Sequence, residues 1–161
     1  YTFKTLSSYG HPVPCVDGVC QLPGAEARAR VARADFTEER DVFMLDLTSA
    51  YPVDGLRGLT RSFTYDRSGG GVLIVEDSID CEWPRAYESA LITFGRWSMK
   101  GRDCIEIEGK NERVRVRVTV PGDCGFSVTS EQLQENGPEM TRIAIRPDRK
   151  IDRGVVRLVI E

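Results

Sequence analysis

The sequence has no long apolar run, little net charge and a single histidine. A long apolar run would indicate a membrane, a large positive charge would indicate nucleic acid, and several histidines would indicate a metal site. No apolar run in its 161 residues approaches the ~20 residues that a membrane-spanning helix needs. Basic and acidic residues nearly balance, with a net charge of -3, so no overall field attracts nucleic acid. We therefore expect neither a membrane nor a nucleic acid as a partner.

The start of the chain lacks both a targeting signal and an initiator methionine. The first residue is Tyr1, and no basic stretch followed by an apolar stretch opens the sequence. A chain of 161 residues is long enough for one domain with its own core. We expect residues 1–161 to form a single domain that is a piece of a longer protein.

Cysteine and histidine are too few and too scattered for a common metal centre. Five cysteines are an odd number, so at least one has no disulfide partner within the chain. Their spacing matches no usual zinc pattern, and the single histidine, His11, could complete a site only together with cysteines. We expect no metal ion and no cofactor.

Helical periodicity is missing as well, and period-two alternation takes its place. "RVRVRVTV" (residues 113–120) alternates valine with arginine or threonine, and "CIEIEG" (residues 104–109) alternates in the same way. Antiparallel pairing about Lys110-Asn111 places each glutamate opposite an arginine and each isoleucine opposite a valine. The predicted pairs are Glu108 with Arg113, Glu106 with Arg115, Ile107 with Val114, and Ile105 with Val116. Because both faces agree on one register, we predict this hairpin with its charged residues facing outward.

Further strands are predicted along the rest of the chain. They cover residues 27–36, 41–47, 59–65, 72–79, 90–94, 125–128, 141–146 and 154–160. A change of phase near Ala32 indicates a bulge, and the glycine-rich residues 66–71 indicate a hairpin turn. Only residues 130–135, with Ser130 as a cap, suggest a helical turn. About a dozen short strands predict an all-β fold, an antiparallel multi-stranded β-sandwich with little or no helix.

The stretch "SSYGHPVPCVDGVCQLPG" (residues 7–24) contains a tight turn signal between two cysteines. Asp17-Gly18 favours a type I′ turn, which makes Cys15 and Cys20 a non-hydrogen-bonded pair on facing strands. Their Cα atoms should lie about 4.5 Å apart, at the short end of the range that a disulfide accepts. A disulfide and a pair of buried thiols both fit this geometry, and the redox compartment decides between them.

His11 precedes Pro12 in the same stretch. The following proline favours an extended backbone at His11, and Pro14 stiffens the segment further. A lone histidine in a loop is usually a surface or hydrogen-bonded residue, and a catalytic role is the alternative.

Three blocks in the first half of the chain resemble a known family. Residues 7–24 resemble the "S-x-x-G-H-x-x-P-x-x-x-G-x-x-Q-x-x-G" segment of the heparinase II/III-like polysaccharide lyases. "DVFMLDLTSAYP" (residues 41–52) resembles that family's "D-x-x-x-x-D-L-x-x-A-Y-P", and residues 59–79 resemble its following hairpin. The blocks occur in family order with plausible gaps. The second half of the chain is similar only in strand character.

The resemblance implies a C-terminal β-sandwich of an enzyme that cleaves uronic-acid polysaccharides by β-elimination. Such enzymes join an N-terminal helical toroid to this sandwich, and the sheet domain can supply a histidine to the cleft. The resemblance therefore implies His11 as a catalytic residue of the parent, and an extracellular or periplasmic location. Its implied partners are an acidic polysaccharide and the helical domain of the parent chain. Since His11 is the only histidine, the histidine-rich zinc site of some members cannot form.

Tyr51 and Arg61 are the candidate substrate-binding residues. Tyr51, in "DLTSAYP", could line a sugar cleft. Arg61 could contact a substrate carboxylate, although a partner within the chain, such as Asp46 or Glu76, is the plainer expectation. No set of acid and base residues converges around His11 in the sequence, so we expect the isolated chain to be inactive.

Two further alternatives stay open at this stage. The chain could instead be a non-catalytic carbohydrate-binding or structural sandwich that shares only the fold. The arginine stripe of residues 113–117 could bind an acidic polysaccharide, but the predicted pairing with glutamates favours an ordinary solvated face.

Overall fold

The computed structural model describes residues 3–122, 124–134 and 137–161, and strands make up most of its regular secondary structure. Within these described ranges, three short 3-10 turns occur, at Lys4–Leu6, Ser8–Gly10 and Thr48–Ala50. The strands of the described residues are β1 (Cys15–Val16), β2 (Arg30–Phe36), β3 (Arg40–Asp46), β4 (Leu56–Asp66), β5 (Val72–Arg85), β6 (Tyr87–Thr93), β7 (Arg96–Met99), β8 (Cys104–Glu108), β9 (Arg113–Thr119), β10 (Phe126–Leu133), β11 (Met140–Pro147) and β12 (Ile151–Ile160).

The strands form two sheets that enclose the core. One sheet has the order β1-β6-β11-β10, and the other has the order β2-β3-β4-β5-β12-β9-β8-β7. All neighbours in both sheets are antiparallel. Apolar side chains from both sheets meet between them, for example Ile143 of β11 with Val75 and Val116 of the larger sheet. The predicted all-β sandwich is therefore confirmed.

The β8–β9 hairpin has the predicted register. Glu106 pairs with Arg115 and Glu108 with Arg113, and Ile105 pairs with Val116 in the core. The arginine side chains lie on the outer face, as predicted, and are more than half exposed. Glu106 shares that face, but cationic side chains cover it and leave it 3% exposed.

Two other predictions about strands have opposite outcomes. The bulge in β2 is confirmed, because its pairing with β3 shifts between Val31 and Arg33. The helical turn at Ser130 is wrong, since β10 runs through that residue to Leu133 and pairs with β11 over its whole length. The ladder with β11 satisfies the backbone groups that a helical turn would otherwise pair locally. Glu135, the last residue of the predicted turn, lies outside the described residues.

Candidate functional site

The hairpin that follows His11 has the predicted tight turn. Asp17 and Gly18 have φ angles of 50° and 77°, as a type I′ turn requires, and Val16 and Val19 exchange two backbone hydrogen bonds of 2.9 Å. Cys15 and Cys20 lie opposite each other with Cα atoms 4.4 Å apart and are joined by a disulfide. The disulfide closes a short loop directly after the His11 segment, which we define as residues 11–14.

We expect the substitution Cys20→Ser to lower the free energy of unfolding by about 2 kcal/mol, because the six-residue loop from Cys15 to Cys20 would no longer be closed in the unfolded chain. Urea unfolding with and without a reductant measures the effect. Reductant should destabilise the unsubstituted chain by a similar amount and leave the variant unchanged. Equal stability of variant and unsubstituted chain would contradict this prediction.

His11 lies on the surface at the end of a 3-10 turn. Its backbone is extended, with φ of -119° and ψ of 159°, and its side chain is exposed. Gly10 packs so closely below it that a Cβ atom there would come within 2.7 Å of the backbone of Lys4 and Thr5. The His11 side chain borders a surface groove of about 370 Å³ that Ser7, Ser8 and Gln21 also line. The imidazole is therefore accessible to a ligand.

Tyr51 lies below this segment rather than on the surface. The turn before it is held by Asp46, whose carboxylate accepts hydrogen bonds from the Thr48 backbone (3.1 Å) and hydroxyl (2.7 Å). These hydrogen bonds fix the end of β3. The Tyr51 side chain is 5% exposed, and its hydroxyl donates to the Pro14 carbonyl at 2.7 Å. Burial raises the pKa of Tyr51 well above its ordinary value, so its phenol is held in the neutral form.

Arg61 is also buried, and it forms an ion pair in the interior. Its Nε and Nη2 atoms each donate to a carboxylate oxygen of Asp77 at 2.6 Å, and Nη1 donates to the Pro12 carbonyl. Tyr87 donates from its hydroxyl to the same carboxylate at 2.5 Å. Burial alone would lower the pKa of Arg61, but the hydrogen bonds to Asp77 outweigh burial and raise it. The guanidinium therefore stays charged inside the protein.

The expected partner of Arg61 within the chain is confirmed, but it is Asp77, and the two named examples, Asp46 and Glu76, are wrong. Arg61 of β4 lies directly opposite Asp77 of β5 in the register, so both side chains point into the sandwich. Glu76 points to the other face of the sheet, where it meets Arg157. Asp46 is occupied by Thr48 and by Arg30 at 3.0 Å.

The three candidate site residues converge on one segment, but in different roles. Tyr51 and Arg61 hold the carbonyls of Pro14 and Pro12, while the His11 side chain faces the solvent. A ligand could reach either buried side chain only after these hydrogen bonds opened. In this arrangement Tyr51 and Arg61 support the backbone that presents His11, and their contact with a substrate stays a prediction.

Arg142 is a further supporting residue that sequence reasoning missed. It is 1% exposed, its Nε donates to the Tyr9 carbonyl at 2.9 Å, and its guanidinium lies 4.1 Å from the centre of the Tyr9 ring. The same guanidinium pairs with Glu88, which also binds Arg146 at 2.5 Å. No local sequence pattern identifies Arg142 as a buried residue. One face of β11 packs against the core, and the other face, which carries Arg142, is covered by the N-terminal segment, which is distant in sequence.

The site can offer one proton-transfer group at the surface. Burial raises the pKa of Tyr87 as well as that of Tyr51, so neither phenol is poised to act as a base.

Within the described residues, no three histidine, cysteine, aspartate or glutamate side chains cluster as a metal site would require. No helix of the described part of the chain is long and apolar enough to cross a membrane.

The fold is similar to part of several solved polysaccharide lyase structures. Heparan sulfate lyase HepC from Pedobacter heparinus matches 93% of this chain over 23% of its own length, at 11% identity and a TM-score of 0.71. Heparinase III, the BT4657 gene product, matches 95% of this chain over 24% of its own length, at 8% identity and a TM-score of 0.68. No protein-family model and no curated protein sequence matches the chain.

These similarities concern one domain of much longer proteins. The chain spans about a quarter of the length of the structures that it matches. At identities of 8–11% the similarity shows the fold alone. The likeness to heparinase II/III-like lyases that the sequence blocks indicated is thus confirmed for the fold, and the site has to be argued from its own residues.

Proposed function

We propose that this chain is the sheet domain of a lyase that cleaves uronic-acid polysaccharides by β-elimination. In this proposal the His11 segment lines a cleft between the sandwich and a helical domain of the same parent protein. The observation that carries the proposal is the exposed single histidine, which stands in the family-like block and on a rigid support. The similarity of the fold to parts of a heparan sulfate lyase and of a heparinase III supports it.

β-Elimination at a uronate needs three groups that act together. A base removes the proton beside the carboxylate, polar groups neutralise that carboxylate, and an acid protonates the leaving glycosidic oxygen. His11 can perform one of these tasks. Serine, glutamine and apolar residues line the groove beside it, so the helical domain would have to supply the other groups.

The support beneath His11 suits a group that must be positioned accurately. Pro12 and Pro14 restrict the backbone, the Cys15–Cys20 disulfide closes the next turn, and Tyr51 and Arg61 hold the two proline carbonyls. Catalysis by proximity requires reacting groups to be held in a productive geometry before the substrate arrives. A segment held in this way would present His11 with little conformational freedom.

An ultraviolet assay of the isolated chain and of a full-length parent tests the proposal. β-Elimination creates an unsaturated uronate that absorbs ultraviolet light, so turnover can be followed directly. We expect turnover of a uronic-acid polysaccharide by the parent and none by the chain alone, because one histidine cannot supply all three groups. Turnover by the isolated chain would contradict the expectation that the helical domain supplies the other two catalytic groups. An inactive parent that still binds polysaccharide would favour the non-catalytic carbohydrate-binding alternative.

A further inference from the structure

A second candidate site lies on the outer face of the eight-stranded sheet. There β8, β9 and the turn between β7 and β8 form a groove of about 440 Å³. Its charged lining residues are Lys100, Arg113, Arg115, Arg117, Asp103 and Glu106. The His11 segment is held from the opposite, inner face of this sheet, through Arg61. The groove is therefore separate from the site proposed above.

Glu106 organises the cations of this groove. Its carboxylate is 3% exposed and lies 3.3 Å from Nε of Arg115, 3.4 Å from Nζ of Lys100 and 3.7 Å from Nη1 of Arg113. Burial would raise the pKa of Glu106, but hydrogen bonds from Arg115 and Lys100 outweigh it and keep the pKa below its ordinary value. The Glu106 carboxylate thus contacts three cationic side chains and limits their freedom before any ligand binds.

Cationic side chains outnumber carboxylates in the groove even after the contacts with Glu106 are counted. Four cations and two carboxylates line the groove. At its border, Glu108 pairs with Arg113 at 2.9 Å and with Arg96 at 3.7 Å. Glu161 lies opposite Arg115 and exchanges two backbone hydrogen bonds with it, so the cations of the groove and its border exceed the carboxylates by one. Arg117 approaches Asp103 only to 4.0 Å, and its side chain is 57% exposed. Among the described residues, no hydrogen-bond partner is found for either terminal nitrogen of Arg115. The groove can therefore donate several charge-assisted hydrogen bonds to an anion.

We propose that this groove is a second binding site for an acidic polysaccharide, one that carries sulfate or carboxylate groups at regular intervals. Arginines at alternate positions of β9 repeat about every 6.6–6.8 Å, so they present a row of cations to a linear polyanion. No aromatic side chain of the described residues lines the groove, so the bases of a single-stranded nucleic acid would have no stacking partner. The identification of the ligand as a polysaccharide rests on the proposed function, whereas the observation that the groove is cationic does not.

Calorimetric titration of this chain with a sulfated heparin octasaccharide tests the proposal. The variant carries Arg115→Gln and Arg117→Gln. The matched control carries Arg30→Gln and Arg33→Gln on β2, at the opposite edge of the same sheet, and has the same change in charge. We expect binding by the groove variant to be about tenfold weaker, and the slope of log Kd against log salt to fall by roughly one to two. The control should bind like the unsubstituted chain.

Other outcomes would overturn the proposal. These are no measurable binding by the unsubstituted chain at low salt, equal losses in variant and control, or tighter groove-dependent binding of a thymidine oligonucleotide with the same number of charges. If the double variant fails to fold, Arg117→Glu replaces it, because among the described residues Arg117 makes a single ion pair, with Asp103 at 4.0 Å. The ultraviolet assay of the parent tests the lyase proposal without use of this groove, so failure of the groove and failure of the lyase proposal are distinguishable.

Discussion

Replacing His11 by alanine in a full-length parent is expected to slow polysaccharide cleavage by about 10²–10⁴-fold, the usual contribution of a positioned acid or base. The reason is that His11 is the one histidine of this domain, and its exposed side chain can reach a substrate. The measurement is the rate of ultraviolet absorbance change at saturating substrate. Added imidazole should restore part of the lost rate if the missing group transfers a proton.

The same substitution in this chain separates chemistry from folding. Because the His11 side chain is exposed, His11→Ala should change the free energy of unfolding by no more than about 0.5 kcal/mol. Arg33→Gln in the parent is a control, since Arg33 is exposed on the edge strand β2. If the parent with His11→Ala retains turnover within a factor of about two, His11 has no catalytic role and is an ordinary surface residue.

Replacing Asp77 by alanine is expected to destabilise the chain by about 3–5 kcal/mol. The substitution removes both carboxylate oxygens that pair with Arg61 and leaves its guanidinium buried and largely unpaired. It also removes the acceptor of the Tyr87 hydroxyl. Urea unfolding measures the loss, and Asp77→Asn, which keeps the shape and one acceptor oxygen, should cost less.

Asp80→Ala on the same strand is the matched control for this loss. Asp80 also pairs with an arginine, Arg153, at 3.2 Å, but both side chains are well exposed. Solvent screens an exposed pair, so we expect a change of at most about 1 kcal/mol. Similar losses of stability at Asp77 and Asp80 would contradict a larger stabilising contribution from the buried pair.

Since Arg61 also holds the Pro12 carbonyl, Asp77→Ala should speed amide hydrogen exchange at His11 and Val13.

Short-range patterns were sufficient for much of the fold. The β8–β9 register follows from the alternation of its two strands, because a shift by one residue would turn every valine outward. The turn at Asp17-Gly18 follows from its two residues, and the bulge in β2 from a local change of phase. Each of these features depends on residues that are near neighbours in the chain.

Other features had a local signal that was incomplete. In "VEDSI" the alternation places Asp77 on the same face as Val75 and Ile79, which could have marked it as a buried carboxylate in need of a cation. Its partner depends on the register between β4 and β5, which a pattern within one strand does not give. The same limit explains the wrong helical turn at Ser130, where pairing with β11 overrides the cap signal.

The sequence by itself determined the all-β class, the local hairpins and the choice of His11 as the residue to test. Only the tertiary structure decided that Tyr51 and Arg61 support the His11 segment from below, and that Glu106 is buried under cations. The physical reason is that burial and hydrogen-bond partners depend on which distant strands meet. Arg61 and Pro12 are separated by 49 residues, and Arg142 and Tyr9 by 133, so no local pattern could bring either pair together.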